Sequence, residues 1–427
     1  MKIDQIKIHN FKNFDNVEVN FNGGVNLFVG SNGSGKTSIL EAINVALGGF
    51  FASQEQKMQR MIGFDEIKIT NGKRELTTAI STESEGIGKW TRTINRNTKS
   101  NDKKDVKFAS NYGEKYFKLF ENSEDRTQAP IVAFYSTQRL FKDANQSGKQ
   151  KYDAANGRRN GYLQCLKENA IKSVLKEWLG NAVTRRATMQ IKEISTIDLV
   201  LENVEKAIRK TLIMFLELPE NFSLKIYQDP DFNNEIFVEY DEEHNLPLNY
   251  YSDGFRNLLY LIIDIVWRAS QLNPWLTLEQ ITDSAVGVVT IDEIDLHLHP
   301  KWQAKAIDII QTLFPKVQFF ITTHSPTVVA NFQNGTLYVI EDNQIRRHES
   351  DFFGKQINSI LRNILGASDR HIPTQKKLNR LFEFIDNNDS EQYNPLLKEL
   401  EIQLGEEDME INKALALIEW QESMNNN

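Results

Sequence analysis

The sequence predicts an α/β fold with a helical arm inserted into it and a helical region at its C-terminal end. Three observations lead there. Apolar runs such as Val25-Asn26-Leu27-Phe28-Val29 and residues 287–291 read as buried strands, and each leads into a segment with a helical period. Strands of this kind stand on both sides of a mostly helical stretch, which makes that stretch an insertion into the core. From residue 352 onward only helical periodicity with acidic linkers is left. The expected division is residues 1–139 for the first part of the core, 140–215 for the arm, 216–351 for the second part and 352–427 for the helical region.

Element by element, Ile3, Ile6 and Ile8 and then Val17, Val19 and Phe21 alternate as two strands around a turn at residues 10–16. Residues 37–47 place apolar side chains at 39, 40, 43, 46 and 47, a helical spacing that Gly48-Gly49 stops. Three strands are expected within 67–95, with Asn71-Gly72 as a hairpin turn. Residues 98–110 read as a polar loop and 131–135 as a buried strand. Residues 142–160, rich in Gly, Asn, Gln and Lys, read as lacking order. Further strands are expected at 223–228, 236–240 and 317–322, and helices at 254–270 and 301–314.

Composition bounds the classes. Of 427 residues, 40% are hydrophobic and 25% charged, as in soluble globular proteins. The single cysteine, Cys165, excludes an internal disulfide and fits a cytoplasmic location. No signal peptide is expected, and the longest apolar run, residues 258–267, is interrupted by Asp264 and too short for a bilayer. A net charge of −8 argues against a simple polyanion binder. Residues 89–107 and 142–192 are nevertheless basic, the latter with the pairs Arg158-Arg159 and Arg185-Arg186. They admit two readings, solvated faces or a surface for nucleic acid.

The chemistry begins at Gly30-Ser31-Asn32-Gly33-Ser34-Gly35-Lys36-Thr37, a full G-x-x-x-x-G-K-[ST] match between an expected strand and an expected helix. Such a loop wraps backbone N–H groups around phosphates, so Asn32, Gly33, Ser34, Gly35, Lys36, Thr37 and Ser38 are the expected nucleotide contacts. Lys36 would reach the β- and γ-phosphates and Thr37 would offer its hydroxyl to Mg²⁺. Asp292-Glu293 closes the apolar run 288–291, where ligands of α/β sheets sit. Asp292 would hold the metal and Glu293 would activate water. His324, just past the strand at 317–322, is placed to contact the γ-phosphate. Ser252-Asp253-Gly254 opens a helix, with Ser252 or Asp253 as its cap and a second anion site at its N-terminus. His297 and His299 read as structural or nucleotide-adjacent.

Together these residues resemble an ABC ATPase head of the P-loop, RecF- and SMC-like kind: the P-loop, Ser252-Asp253-Gly254, residues 289–293, Asp295 and His324 come in that family's order. Tyr251 replaces the family's usual leucine. Ile8-His9-Asn10-Phe11-Lys12-Asn13-Phe14 resembles the opening of the heads in DNA-repair and chromosome-maintenance ATPases, which implies base or sugar contacts for Lys12 and Asn13. The stretches Ile291-Asp292-Glu293-Ile294-Asp295-Leu296-His297-Leu298-His299-Pro300-Lys301-Trp302-Gln303 and Phe320-Ile321-Thr322-Thr323-His324-Ser325-Pro326 are similar to stand-alone ATPases of the overcoming-lysogenisation-defect class. Residues 354–420 resemble the ATPase subunit of Septu-type and retron-linked anti-phage systems.

The resemblance implies a γ-phosphate and Mg²⁺ sensor after the strand at 131–135, with Gln138 and Arg139 as equal candidates. It implies a homodimer or higher homo-oligomer of head-to-tail heads, with Ser252 and Gly254 contacting ATP on the other copy. It implies a regulator whose HNH-type nuclease is a separate chain. The alternatives are a repair ATPase that clamps DNA through the basic arm, or a self-contained nuclease. The last is disfavoured because no D-x-D follows His324.

Overall fold

The computed structural model describes residues 1–427 apart from 55–57, 102–103, 123, 138–151, 168–171, 193–197, 230–234, 241–244, 350–351, 365–369, 406 and 426–427. Residues 1–360 form one compact unit and residues 361–427 another.

The first unit is built on a six-stranded sheet. Its order is Gln344–Arg347, Gly335–Glu341, Val25–Val29, Val317–Thr322, Gly287–Ile291 and Ile131–Tyr135. All neighbours run parallel except the edge hairpin Gly335–Glu341/Gln344–Arg347. Three of the central strands, Val25–Val29, Gly287–Ile291 and Val317–Thr322, are buried at every position. Helices or a second sheet must therefore cover both faces, which is why these strands read as continuous apolar runs.

A four-stranded antiparallel sheet, ordered Phe14–Asn20, Gln5–Phe11, Thr77–Ser84 and Gly88–Asn95, supplies one cover. Alternation along Gln5–Phe11 puts Ile6 and Ile8 inside, and Asn10 at φ 51° shifts the phase so that Phe11 is buried as well. Between the two sheets runs the helix Lys36–Leu47, nearly all of it buried. Trp90 on the antiparallel sheet donates its indole N–H to Ala46 O at 2.9 Å, and Thr290 on the parallel sheet donates to Asn44 at 2.8 Å. The P-loop helix is thus fixed from both sides. Asn71 and Gly72, both at positive φ, make the tight turn of the hairpin Ile69–Thr70/Lys73–Arg74 as expected.

Several expectations are corrected. Within the expected loop 98–110, residues 104–106 form a 3₁₀ turn that leads into a helix, Lys107–Leu119. Its polar face dominates the composition, but Ala109, Gly113, Tyr116 and Phe117 form a buried stripe. A Cβ at Gly113 would lie 1.8 Å from Phe50 O, so only glycine allows this approach. The expected helix 301–314 is two pieces, Pro300–Gln303 and Ala306–Leu313. In the stretch expected to lack order, residues 142–151 lie outside the described residues, but Ala154–Tyr162 is a 3₁₀ segment capped by Asp153. Arg158 holds it down by donating to Leu272 O at 2.7 Å, Thr127 O at 2.6 Å and Asp125 O at 3.2 Å.

Of the expected arm, Lys172–Ile191 is helical, and the helix Leu199–Leu216 buries Leu201, Val204, Ala207, Ile208, Leu212 and Phe215 in the body of the first unit. The basic pairs are largely used internally. Arg159 faces Glu121 at 3.2 Å, Arg185 faces Asp198 at 2.8 Å and Arg186 faces Glu205 at 2.5 Å. With Arg158 bound to carbonyls, these four arginines offer a polyanion less than the sequence suggests.

The second unit packs Ile372–Asp386, Ser390–Leu404 and Met409–Asn425 around Leu378, Leu381, Ile385, Tyr393, Leu397, Leu400, Ile411 and Ala414. Among the described residues no helix is long and apolar enough to cross a membrane.

Candidate nucleotide site

The expected phosphate, metal and catalytic residues meet at the C-terminal edge of the parallel sheet. The loop after Val25–Val29 turns through Gly33 (φ 78°) and Gly35 (φ 112°), left-handed conformations that favour glycine. A Cβ at Gly35 would also lie 2.8 Å from both Asn13 Nδ2 and Phe14, and one at Gly30 would lie 2.4 Å from Ile340 O. The loop is therefore gripped by the N-terminal hairpin on one side and the strand Gly335–Glu341 on the other. Asn13 spans the two, with Nδ2 donating to Ser34 O at 3.3 Å and to Asn343 Oδ1 at 2.9 Å. Asn32 and Gly33 form the exposed crest, and Ser38 sits partly exposed in the first turn of the helix.

Lys36 is buried, and its ammonium donates to Gly30 O at 2.9 Å and Ser31 O at 2.7 Å. Burial brings it down to about 8 against the opposing pull of Glu293, Asp292 and Asp295. Thr37 donates its hydroxyl to Asp292 Oδ2 at 3.0 Å. Asp292 is itself buried. Its other oxygen accepts from Thr322 Oγ1 at 2.6 Å, and its N–H donates to Tyr135 O at 2.8 Å.

Glu293 stands at φ 48°, a left-handed conformation that a side chain rarely adopts and that the surroundings must enforce. Its N–H donates to Thr322 Oγ1 at 2.7 Å, and the next N–H, of Ile294, donates to Thr322 O at 3.1 Å. The carboxylate is partly exposed, and Oε1 lies 3.6 Å from His324 Nε2, too far for a hydrogen bond but close enough to share one substrate atom. Desolvation, and then Lys36, hold His324 below its ordinary value, so it is neutral at pH 7 with one N–H to give. Asp295 accepts from Thr323 Oγ1 at 2.5 Å.

Thr322 and Thr323 carry no role that the sequence motifs assign. They hold three groups of the site, and two hydroxyls directly before a site histidine were the available signal. His299 caps the short helix Pro300–Gln303, accepting from Lys301 N at 3.3 Å, and His297 stands at φ 61°. Among the described residues no group of three or more His, Cys, Asp or Glu is gathered where it could hold a metal ion.

Ser252 occupies the N-cap of the helix Asp253–Leu272, one of the two positions expected, but its side chain makes no capping bond. Asp253 pairs with Arg256 instead. The N-terminal N–H groups are thereby left without a side-chain cap, as an anion site requires. A Cβ at Gly254 would lie 2.1 Å from His297 O, so this glycine seats the helix on the loop that follows Asp295.

Lys12, expected at a base or sugar, directs its ammonium to Glu41, with Glu66 at 3.7 Å. It stands at φ 51° and its N–H donates to Glu66 O. Gln138 and Arg139 lie outside the described residues.

The residues present fit Mg-ATP. Ser34 Oγ and Asn13 Oδ1 are buried beside the loop without a hydrogen-bond partner among the described residues. Thr37 and Asp292 present hard oxygen donors side by side, the type Mg²⁺ selects.

Comparison with known proteins now adds the lineage. A family model described as "AAA domain, putative AbiEii toxin, Type IV TA system" matches residues 25–330, well over half of the chain. The chain belongs to this AAA domain family. Among its relatives, "Septu protein PtuA" of Bacillus thuringiensis is 26% identical over 384 residues, covering 87% of this chain and 86% of that protein. "Retron Ec83 probable ATPase" of Escherichia coli is 23% identical, covering 90% and 79%. "DNA replication and repair protein RecF" of Lactococcus lactis subsp. cremoris (strain MG1363) is 24% identical, covering 82% and 100%. Among solved structures, an Smc head bound to the C-winged helix domain of ScpA aligns at a TM-score of 0.47 and 14% identity, over 82% of this chain and 98% of that one. The AAA domain match spans both the P-loop strand and the strand before His324, the two segments that build the site.

Proposed function

We propose that this chain is an Mg-ATP hydrolase that works as a head-to-tail pair and regulates a separate nuclease in an anti-phage defence system of the cytoplasm. The observation that carries the hydrolase is the meeting of Lys36, Thr37, Asp292, Glu293 and His324 at one sheet edge, with Glu293 held in a left-handed backbone. The likeness to the Septu and retron proteins supports the defence role.

Lys36 and the loop amides hold the phosphates. Thr37 and Asp292 would hold Mg²⁺, which when bound neutralises charge on the β- and γ-oxygens. Glu293 takes the proton of the attacking water, and neutral His324 donates to the γ-phosphate. One head leaves the γ-phosphate open to solvent. In this reading the uncapped helix N-terminus at Ser252 of a second copy closes it and stabilises charge in the transition state. Gln138 or Arg139 would sense the γ-phosphate and Mg²⁺.

The test is Glu293→Gln, which should bind ATP, lose at least ~10²-fold in turnover, about 2.7 kcal/mol of barrier, and accumulate as ATP-bound pairs. Normal phosphate release by this variant would remove Glu293 from the chemistry. A second reading, a repair ATPase that clamps DNA, is supported by the RecF likeness over the whole of that relative. The internal pairing of Arg159, Arg185 and Arg186 weighs against it. Loss of phage protection in cells carrying Glu293→Gln, with normal survival of DNA damage, separates the two.

A further inference from the structure

A polar cluster lies deep in the first unit, away from the phosphates. Tyr135 ends the strand Ile131–Tyr135, and its hydroxyl donates to Asp264 Oδ2 at 2.6 Å. Arg268, one turn further along the helix Asp253–Leu272, donates Nε to the same oxygen at 2.8 Å. All three side chains are buried. Arg268 also donates to Gly161 O at 2.9 Å and Leu163 O at 3.1 Å, the segment that leads into the inserted arm. That segment is tied again through Phe134 N to Cys165 O at 2.7 Å and Tyr162 Oη to Pro130 O at 2.8 Å. A Cβ at Gly161 would lie 2.5 Å from Leu272, so glycine lets the segment seat this closely on the helix.

A buried ion pair is a poor source of net stability, because desolvation offsets most of its attraction. What it supplies is fixed geometry, and here the geometry has a second end. The peptide carbonyl of Tyr135, whose ring is fixed by Asp264, accepts the N–H of Asp292 at 2.8 Å. Asp292 in turn holds Thr37. The helix that carries Asp264 and Arg268 begins at Ser252, twelve residues and about 18 Å earlier, and a helix buried along most of its length moves as a rigid rod.

We propose that Tyr135, Asp264 and Arg268 form one positioning unit that sets Asp292 according to the position of the Ser252 helix and passes the same displacement to the root of the arm at residues 158–166. The unit includes none of the candidate phosphate, metal or catalytic residues, and it rests on the hydrolase reading above. A contiguous path in space is only a route, and coupling between its members is what makes them a unit.

The experiment uses Tyr135→Phe, Asp264→Asn and the double variant in the full chain. Tyr135→Phe removes one oxygen from a packed site and keeps its volume. Each single variant should lower kcat at least fivefold while KM and equilibrium ATP affinity stay within twofold. The double variant should be no slower than the slower single, because one unit can be broken only once. Hydrogen exchange at residues 158–166 should slow on ATP binding in the unmodified chain and respond less than half as much in Tyr135→Phe. Should Asp264→Asn fold poorly, Arg268→Lys keeps the charge, loses the two carbonyl bonds and carries the same expectation. A purely structural role predicts a lower melting temperature with kcat and exchange response unchanged, and that result overturns the proposal, as do losses that multiply in the double variant. Absence of turnover in the unmodified chain would sink the hydrolase reading alone, since the exchange readout needs only nucleotide binding.

Discussion

The hydroxyl of Thr322 accepts the backbone N–H of Glu293 at 2.7 Å. The same hydroxyl donates to Asp292 at 2.6 Å, so one side chain on the neighbouring strand orients both acids of the site. Thr322→Val keeps shape and volume but removes the two bonds that the hydroxyl makes, to the Glu293 N–H and to Asp292. It should lower kcat by ~10–10²-fold, the scale of about 1.4–2.7 kcal/mol, with ATP affinity within threefold. Thr322→Ser should recover most of the loss. Steady-state kinetics of the two variants decide it, and equal rates for valine and threonine would show that the strained Glu293 backbone holds without this bond.

The position of Lys36 gives a pH dependence. Burial brings its ammonium down to about 8, and phosphate beside it favours the charged form. Below pH 8 the free chain already carries the charge, so ATP affinity should be level. Above pH 8 the free chain loses it and binding must take up a proton, so Kd should rise with a slope of up to tenfold per pH unit. Calorimetry in two buffers of different ionisation enthalpy at about pH 9 should show that proton uptake. A level Kd up to about pH 9.5 would mean that Lys36 stays charged in the free chain.

The proposed head-to-tail pairing makes a prediction that does not depend on Gly254, whose substitution would clash with His297 within the same chain. Ser252 is exposed and its hydroxyl makes no cap bond, so Ser252→Arg should fold. Alone, Lys36→Ala and Ser252→Arg should each be inactive. Mixed, they should recover part of the turnover, because one mixed pair contains one intact composite site. Mixed pairs demonstrated by crosslinking but without activity would place Ser252 in service of its own chain's nucleotide.

The helical tail separates from the site in a way that can be used. Phe352 and Ile360 are buried and belong to the first unit, so a cut is best placed at residue 361. Deleting residues 361–427 should leave ATP binding within threefold and abolish co-purification with the nuclease. The full chain by itself should not cut DNA or RNA with Mg²⁺ or Mn²⁺. Metal-dependent cleavage by the pure chain, lost on substituting acids of the tail, would move the protein to the self-contained nucleases.

Much of this was legible in the chain itself. The P-loop residues are adjacent in sequence, so their geometry follows from local φ preferences at Gly33 and Gly35. The buried strands could be read from their apolar runs, and the Asn71-Gly72 turn from its conformational demand. The order of the parallel strands was not legible, because Val25–Val29 takes both its neighbours from the other end of the chain. The helix Lys107–Leu119 was hidden by its lysines, which say nothing about the face they leave free. The partners of Arg158 and Lys12 were not legible for one reason: a charged residue in sequence shows its charge but not the carbonyl or carboxylate that folding brings to it. Thr322 shows the same limit, since a hydroxyl gains a role only once a second strand stands beside it.

The placement of Val25–Val29 between Val317–Thr322 and Gly335–Glu341 bears on how the protein is made. The strand that launches the P-loop leaves the ribosome some 310 residues before its outer neighbour is complete at Glu341. At roughly 5–20 residues per second the nascent chain waits about 15–60 seconds with a largely apolar strand unpaired. Nucleotide cannot be held during that interval, so a growing chain cannot act before its last sheet strands arrive. Val25–Val29 is also where a chaperone that grips extended apolar segments would first find this protein.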